Sequence, residues 1–231
     1  MQIHGFNKLT LLDYPGHLGA MVFLGGCNMR CPFCQNASLV LNPSSLPVIP
    51  EDEIFSLLKR RKNILEGVCI SGGEPTIYDE LPDFIKRIKD MGYLVKLDTN
   101  GTNPSMLTNL IEHKLIDYVA MDIKNSKSNY ALTSGKPAVE LGKIEESVAY
   151  LISSPLSYEF RTTVIKELHS EEDFHSIGKW IFGAKSYYLQ AFKDSGDLIT
   201  SGLHAPSKET LNWYASILAP YVEQIQLRGI D

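Results

Sequence analysis

A chain of 231 residues, 44 % of them hydrophobic, with a formal net charge of −5, is long enough to bury one large core or two small ones and has the make-up of an ordinary globular protein. The acid excess excludes a broad nucleic-acid or anionic-membrane surface, because binding by counterion release needs clustered Lys and Arg. No run reaches the roughly 18 apolar residues of a membrane span, and the first residues lack a signal-peptide pattern, so the expectation is a cytoplasmic protein with reduced thiols and no membrane or nucleic-acid partner.

In chain order, the first predicted strand is "GAMVFL" at 19–24, followed by a loop-like stretch at 36–50 and a helix over 50–61 that opens on Pro50 and three acids. A strand at 67–70, a helix at 79–91 and a strand at 93–98 come next. The helix at 103–113 has Asn103 as its cap and Pro104 in its first turn, and it leads to a strand at 118–123. A second loop-like stretch, 124–142, is expected, like 36–50, to be mobile. A helix at 142–153, a strand at 158–164, a helix at 170–181 opening on Ser170, a strand at 186–192 and a helix at 207–219 complete the set. This alternation calls for a parallel sheet with right-handed crossovers. No glycine fingerprint of a dinucleotide site follows the first strand, so the expected fold is α/β, a partial (β/α)6 barrel of the TIM type forming a single domain over 1–231. Its chemistry should lie at the C-terminal ends of the strands.

Cys27, Cys31 and Cys34 crowd into "GGCNMRCPFCQN". On a helix they would form one stripe, but Gly25, Gly26 and Pro32 suit a loop wrapped around something. "CPFC" is a zinc-type pair without a second pair, although His4 or His17 would be available as further ligands. Three thiolates are one fewer than the usual iron–sulfur set, and Cys69, alone in a predicted strand, reads as a small core residue.

The spacing C-x-x-x-C-x-aromatic-C, with Phe33 at the aromatic place, resembles the cluster motif of the radical S-adenosylmethionine superfamily. That resemblance implies one [4Fe–4S] cluster on Cys27, Cys31 and Cys34, whose fourth iron takes S-adenosylmethionine. Gly72, Gly73 and Glu74 of "GGEP" resemble the segment that binds the methionine amino group. "LDTNG" and "MDIK" resemble activating enzymes of glycyl radical proteins and imply that Asp98 and Lys124 face the cofactor, with Asp98 accepting from the amino group or holding a monovalent cation with Thr99 and Asp122. The rival is a salt bridge from Asp98 or Asp122 to Lys124. The resemblance also places Arg161 near the ligand's ribose or carboxylate, against an ion pair with Asp122 or Glu159, and gives Gln190 a weaker claim on the same ligand. The six histidines form no ligand set; His113, His169 and His175 read as surface or capping residues.

The stretch "KLTLLDYPGHLGAMVFL" and the rest of the chain resemble anaerobic ribonucleoside-triphosphate reductase activating proteins, and more broadly pyruvate formate-lyase activating enzymes. Gln35 departs from the histidine common after the third cysteine, and no cysteines remain for an inserted ferredoxin-like module. The resemblance implies reductive cleavage of S-adenosylmethionine with an electron from flavodoxin or ferredoxin, and hydrogen abstraction from a glycine of a partner, expected to be the large subunit of anaerobic ribonucleotide reductase. The rivals are activation of a pyruvate formate-lyase type enzyme, a small-molecule radical enzyme such as a 7-carboxy-7-deazaguanine synthase, and a non-enzymatic zinc module.

Overall fold

The computed structural model describes residues 1–230 and shows an α/β fold with an open, mainly parallel sheet in which strand order follows chain order. The chain divides into two compact units, one of residues 1–28, 38–99 and 103–120, the other of 29–37, 100–102 and the chain from 121 onward.

The first unit opens with β1 (Ile3–Thr10), antiparallel to β2 (Gly19–Leu24) with Phe6 opposite Val22. After α1 (Ala37–Leu41), a single 3-10 turn at Pro43–Ser45 and α2 (Glu51–Arg60), β3 (Gly67–Gly72) lies parallel to β2. Next come α3 (Leu81–Asp90) and β4 (Leu94–Thr99), which pairs with β3 in parallel from Gly67 and Leu94 onward. The helices form where apolar residues recur every three or four positions: Ile54, Leu57 and Leu58 on α2 and Leu81, Phe84, Ile85 and Ile88 on α3 are buried, and acids begin α2 while bases end it. In α4 (Pro104–Glu112) the Asn103 side chain accepts from the Met106 amide at 3.2 Å, as its capping position predicts. The strand β5 (Tyr118–Asp122) starts in this unit and ends in the other.

The second unit holds α5 (Tyr130–Ser134), α6 (Leu141–Ser153), β6 (Ser157–Val164), α7 (Glu171–Trp180), β7 (Ala184–Ala191), α8 (Lys208–Leu218) and β8 (Val222–Arg228). The strands β6, β7 and β8 are parallel, with Arg161 opposite Tyr188 and Gln190 opposite Arg228. Alternate positions Phe160, Tyr187 and Leu189 are fully buried. Phe174 of α7 stacks on Tyr214 of α8 with ring centres 4.3 Å apart.

All six predicted strands are present. The sequence reading missed β1 and β8, and it took 36–50 and 124–142 as loop-like, whereas they contain α1, the 3-10 turn at Pro43–Ser45 and α5. β1 was masked by Gly5 and three exposed residues, Asn7 to Leu9. α1 and α5 are five residues each, too short for helical periodicity to register.

Candidate active site

In the first unit, Cys27 follows the glycine pair at the C-terminal end of β2, and the "GGEP" segment leaves the same end of β3. The two are stitched together: the Gly73 amide donates to the Leu24 carbonyl at 2.8 Å and the Glu74 amide to the Gly26 carbonyl at 2.9 Å. A Cβ on Gly73 would stand 1.7 Å from the Gly26 oxygen. A Cβ on Gly72, where φ is +118°, would stand 2.3 Å from the Leu24 oxygen. These glycines therefore admit protein backbone, and their bareness is required before any ligand is considered. Tyr78 adds a hydroxyl bond to the Gly25 carbonyl at 2.8 Å.

Glu74 is buried, and its Oε1 accepts from the Thr76 amide at 3.1 Å, the Thr76 hydroxyl at 2.5 Å and the Thr99 hydroxyl at 2.7 Å. The carboxylate thus ties the end of β3 to the end of β4. Asp98 is also buried, and its Oδ1 contacts the ammonium of Lys96, two residues earlier on the same face of β4. Sequence reasoning missed Lys96; its signal was a lysine set among Leu94, Val95 and Leu97 in a strand. Cys69 is fully buried against Tyr14 and Met21, the core position expected of it.

In the second unit, Cys31 and Cys34 are held on one turn, the Cys34 amide donating to the Cys31 carbonyl at 2.9 Å. Three neighbours fix that turn from outside. The Arg30 amide bonds to the carbonyl of Ser134 at the end of α5 (2.8 Å), the Thr200 amide to Pro32 (2.9 Å), and the Gln35 side-chain amide to Lys193 (2.6 Å). Gln35, the departure from the familiar histidine, thus fastens the cysteine loop to the segment after β7. Burial pushes the Cys31 thiol up, against the nearby Lys124 ammonium; burial also raises Cys34, opposed by the Asn36 amide and Lys124.

The charges beside these thiols form a chain of three. Lys124 Nζ lies 2.7 Å from Asp122 Oδ2 and 6.0 Å from the centre of the Phe33 ring, while Arg161 Nε lies 2.5 Å from Asp122 Oδ1. Burial disfavours the Asp122 charge, but Arg161 and Lys124 outweigh it and hold the carboxyl well below the usual range; burial likewise opposes the Lys124 charge and is outweighed by Asp122 and Cys31. Of the rival ion pairs, Lys124–Asp122 and Arg161–Asp122 both form. Glu159 instead takes a two-pronged bond from Arg228 of β8, at 2.6 and 2.9 Å, whose guanidinium stacks 3.5 Å above the Tyr188 ring. Gln190 sits in register between Thr163 and Arg228.

His169 departs from expectation. It is buried, its Nδ1 accepts from the Ile165 amide at 3.1 Å, and its Nε2 therefore carries the proton it donates to the Lys124 carbonyl at 2.9 Å. His113 and His175 are exposed, as expected.

Residues 21–181 match the family described as the radical SAM superfamily. The chain belongs to that superfamily. A protein of Methanocaldococcus jannaschii, provisionally named a glycyl-radical enzyme activating enzyme, is 32 % identical over 235 residues, covering 99 % of this chain and 96 % of its own. The pyruvate formate-lyase 1-activating enzyme of Escherichia coli K12 is 24 % identical and covers 97 % of both chains. Among solved structures, a domain of the pyruvate-formate lyase-activating enzyme from Bacteroides vulgatus superposes with a TM-score of 0.59 at 19 % identity, covering 71 % of this chain and 99 % of that one. Streptococcus suis SuiB bound to S-adenosylmethionine gives 0.69 at 15 %, covering 90 % and 52 %. The last two show the fold. The whole-length relatives make this radical SAM protein an enzyme of the glycyl-radical activating class.

That family implies a [4Fe–4S] cluster and S-adenosylmethionine. No trio of His, Cys, Asp or Glu converges as a metal site among the described residues. The donor chemistry nevertheless fits on the second unit's side, with two soft sulfur ligands fixed on one turn and an ammonium beside them to offset the charge of bound thiolates.

Proposed function

We propose that this enzyme, as a single radical SAM domain over 1–231, holds its cluster through Cys27, Cys31 and Cys34 and installs a glycyl radical on the large subunit of anaerobic ribonucleotide reductase. The observation that carries the activating role is the three-cysteine loop at a strand's C-terminal end, in a chain similar over its whole length to a protein provisionally named a glycyl-radical enzyme activating enzyme. When bound, the cluster and S-adenosylmethionine supply one-electron chemistry that releases methionine and a 5′-deoxyadenosyl radical. The protein's task is to bind, orient and shield. In the second unit, Phe33 stands within the Cys31–Cys34 turn with the Lys124 ammonium 6.0 Å from its ring, and Lys124 and Arg161 offer two cations against the single carboxylate of Asp122, a net positive charge suited to the methionine carboxylate. The methionine amino group is assigned to Gly72, Gly73 and Glu74 of the first unit. A flavodoxin or ferredoxin supplies the electron.

The test is electron paramagnetic resonance of anaerobic, reduced protein mixed with S-adenosylmethionine and, separately, with reductase large subunit or pyruvate formate-lyase. A glycyl doublet with the reductase supports the proposal; a doublet only with the lyase moves the assignment to that partner; methionine release without a doublet on either protein overturns the activating role.

A further inference from the structure

We propose that the Lys96 ammonium does the work of the monovalent cation expected near Asp98, Thr99 and Asp122, so that this enzyme binds S-adenosylmethionine without needing potassium or sodium. The consequence for S-adenosylmethionine rests on the function proposed above; the claim about Asp98 does not.

The three expected ligands are already committed. Lys96 and Asp98 stand two residues apart on β4 and share a face; Lys96 is 2 % exposed and Asp98 7 %, with Nζ directly on Oδ1. A lysine is brought into such a dry site only with an anionic partner, because an unpaired buried charge is costly. Thr99 turns its hydroxyl to Glu74 Oε1 at 2.7 Å. Within the second unit, Asp122 has Lys124 on one oxygen and Arg161 on the other.

An alkali ion added at Asp98 would meet the Lys96 ammonium there, and in a buried site that repulsion is strong. The ammonium is itself a compact point charge with three donors, so it neutralises the aspartate and fixes its direction as an ion would. Being covalently attached, it stays in place whatever salt surrounds the protein.

The experiment compares wild type, Lys96→Met and the double variant Lys96→Met/Asp98→Asn in potassium chloride and in tetramethylammonium chloride at equal ionic strength. Both the thermal midpoint and the affinity for S-adenosylmethionine of the anaerobically loaded protein are read. Wild type is expected to be indifferent to the swap. Lys96→Met, which takes the ammonium away from a buried carboxylate, should melt higher in potassium and bind S-adenosylmethionine about tenfold more tightly there. The double variant should lose that potassium response while still folding. Wild type that needs potassium, or a folded Lys96→Met blind to it, overturns the proposal. Should Lys96→Met fail to fold even in potassium while the double variant folds, the ion cannot replace the ammonium and the idea is equally lost. If wild type binds no S-adenosylmethionine in either salt, the proposed function fails and the melting comparison still decides the role of Lys96.

Discussion

At the scale of single residues, the four cysteines divide by environment. Cys27, Cys31 and Cys34 lie in loop, whereas Cys69 is packed in a strand against Tyr14 and Met21. Replacing any of the first three by serine is expected to abolish methionine release from S-adenosylmethionine and to deplete iron. Cys69→Ser should retain both and instead lower stability by about 1–3 kcal/mol, since it places a hydroxyl among apolar groups; iron analysis and denaturant unfolding separate the two classes. Lys124→Met should weaken S-adenosylmethionine binding about tenfold or more while leaving iron content unchanged, measured by equilibrium titration. The cysteines were legible because their spacing is local and their chemistry narrow. Lys96, His169 and Arg228 were not: Lys96 takes its role from burying its ammonium against Asp98 of the same strand, and the other two from distant partners, the Lys124 carbonyl and Glu159. Glu74 illustrates the same limit from the other side, since its identity was readable but not that three hydrogen bonds commit one of its oxygens.

Between residue and whole lies the junction of the β5 end with α7. Asp173, third residue of α7, accepts from the Ser126 hydroxyl, the Asn129 amide at 2.8 Å and the Ser170 amide and hydroxyl at 2.9 and 3.0 Å, while Asn125 donates to the Leu168 carbonyl at 2.9 Å. Ser170 completes a capping box, so one carboxylate starts the helix and anchors the chain just after Lys124. Asp173→Ala is expected to cost about 2–4 kcal/mol, as several buried donors lose their acceptor at once; urea unfolding measures it. His169 adds a pH signature. Burial outweighs its hydrogen bonds and lowers its pKa, so below about 6.5 the unfolded chain takes up a proton that the folded chain refuses. Stability should therefore be level above that pH and fall as the solution is acidified through the window below it, a slope that His169→Gln should reduce. The Ser170 start of α7 was visible in the sequence as a serine followed by acids. β8 could have been seen too, since Val222, Ile225 and Leu227 interrupt a polar run, but its role became apparent only with the Arg228–Glu159 bond.

At the scale of the whole molecule, the alternation of apolar runs and amphipathic helices carried the fold class, because each strand and each helix has its own period in the sequence. The antiparallel edge strand β1 did not announce itself, for such a strand needs to bury only one face. Most of the buried core lies in strands and helices away from the cysteine loop, which is held by backbone bonds to Ser134 and Thr200. Protein stripped of iron by an anaerobic chelator is accordingly expected to keep its far-ultraviolet circular dichroism and a single cooperative unfolding transition while losing all cleavage of S-adenosylmethionine.

The contact of Gly73 with the Gly26 carbonyl leaves no room for even a methyl group. Because the amides of Gly73 and Glu74 donate to the carbonyls of Leu24 and Gly26, the chain bearing Cys27 and the chain bearing Glu74 act as one jaw rather than two fingers. A library randomised at position 73 and selected for activity should therefore return a single codon family, a site with no reactive atom held as tightly as the cysteines.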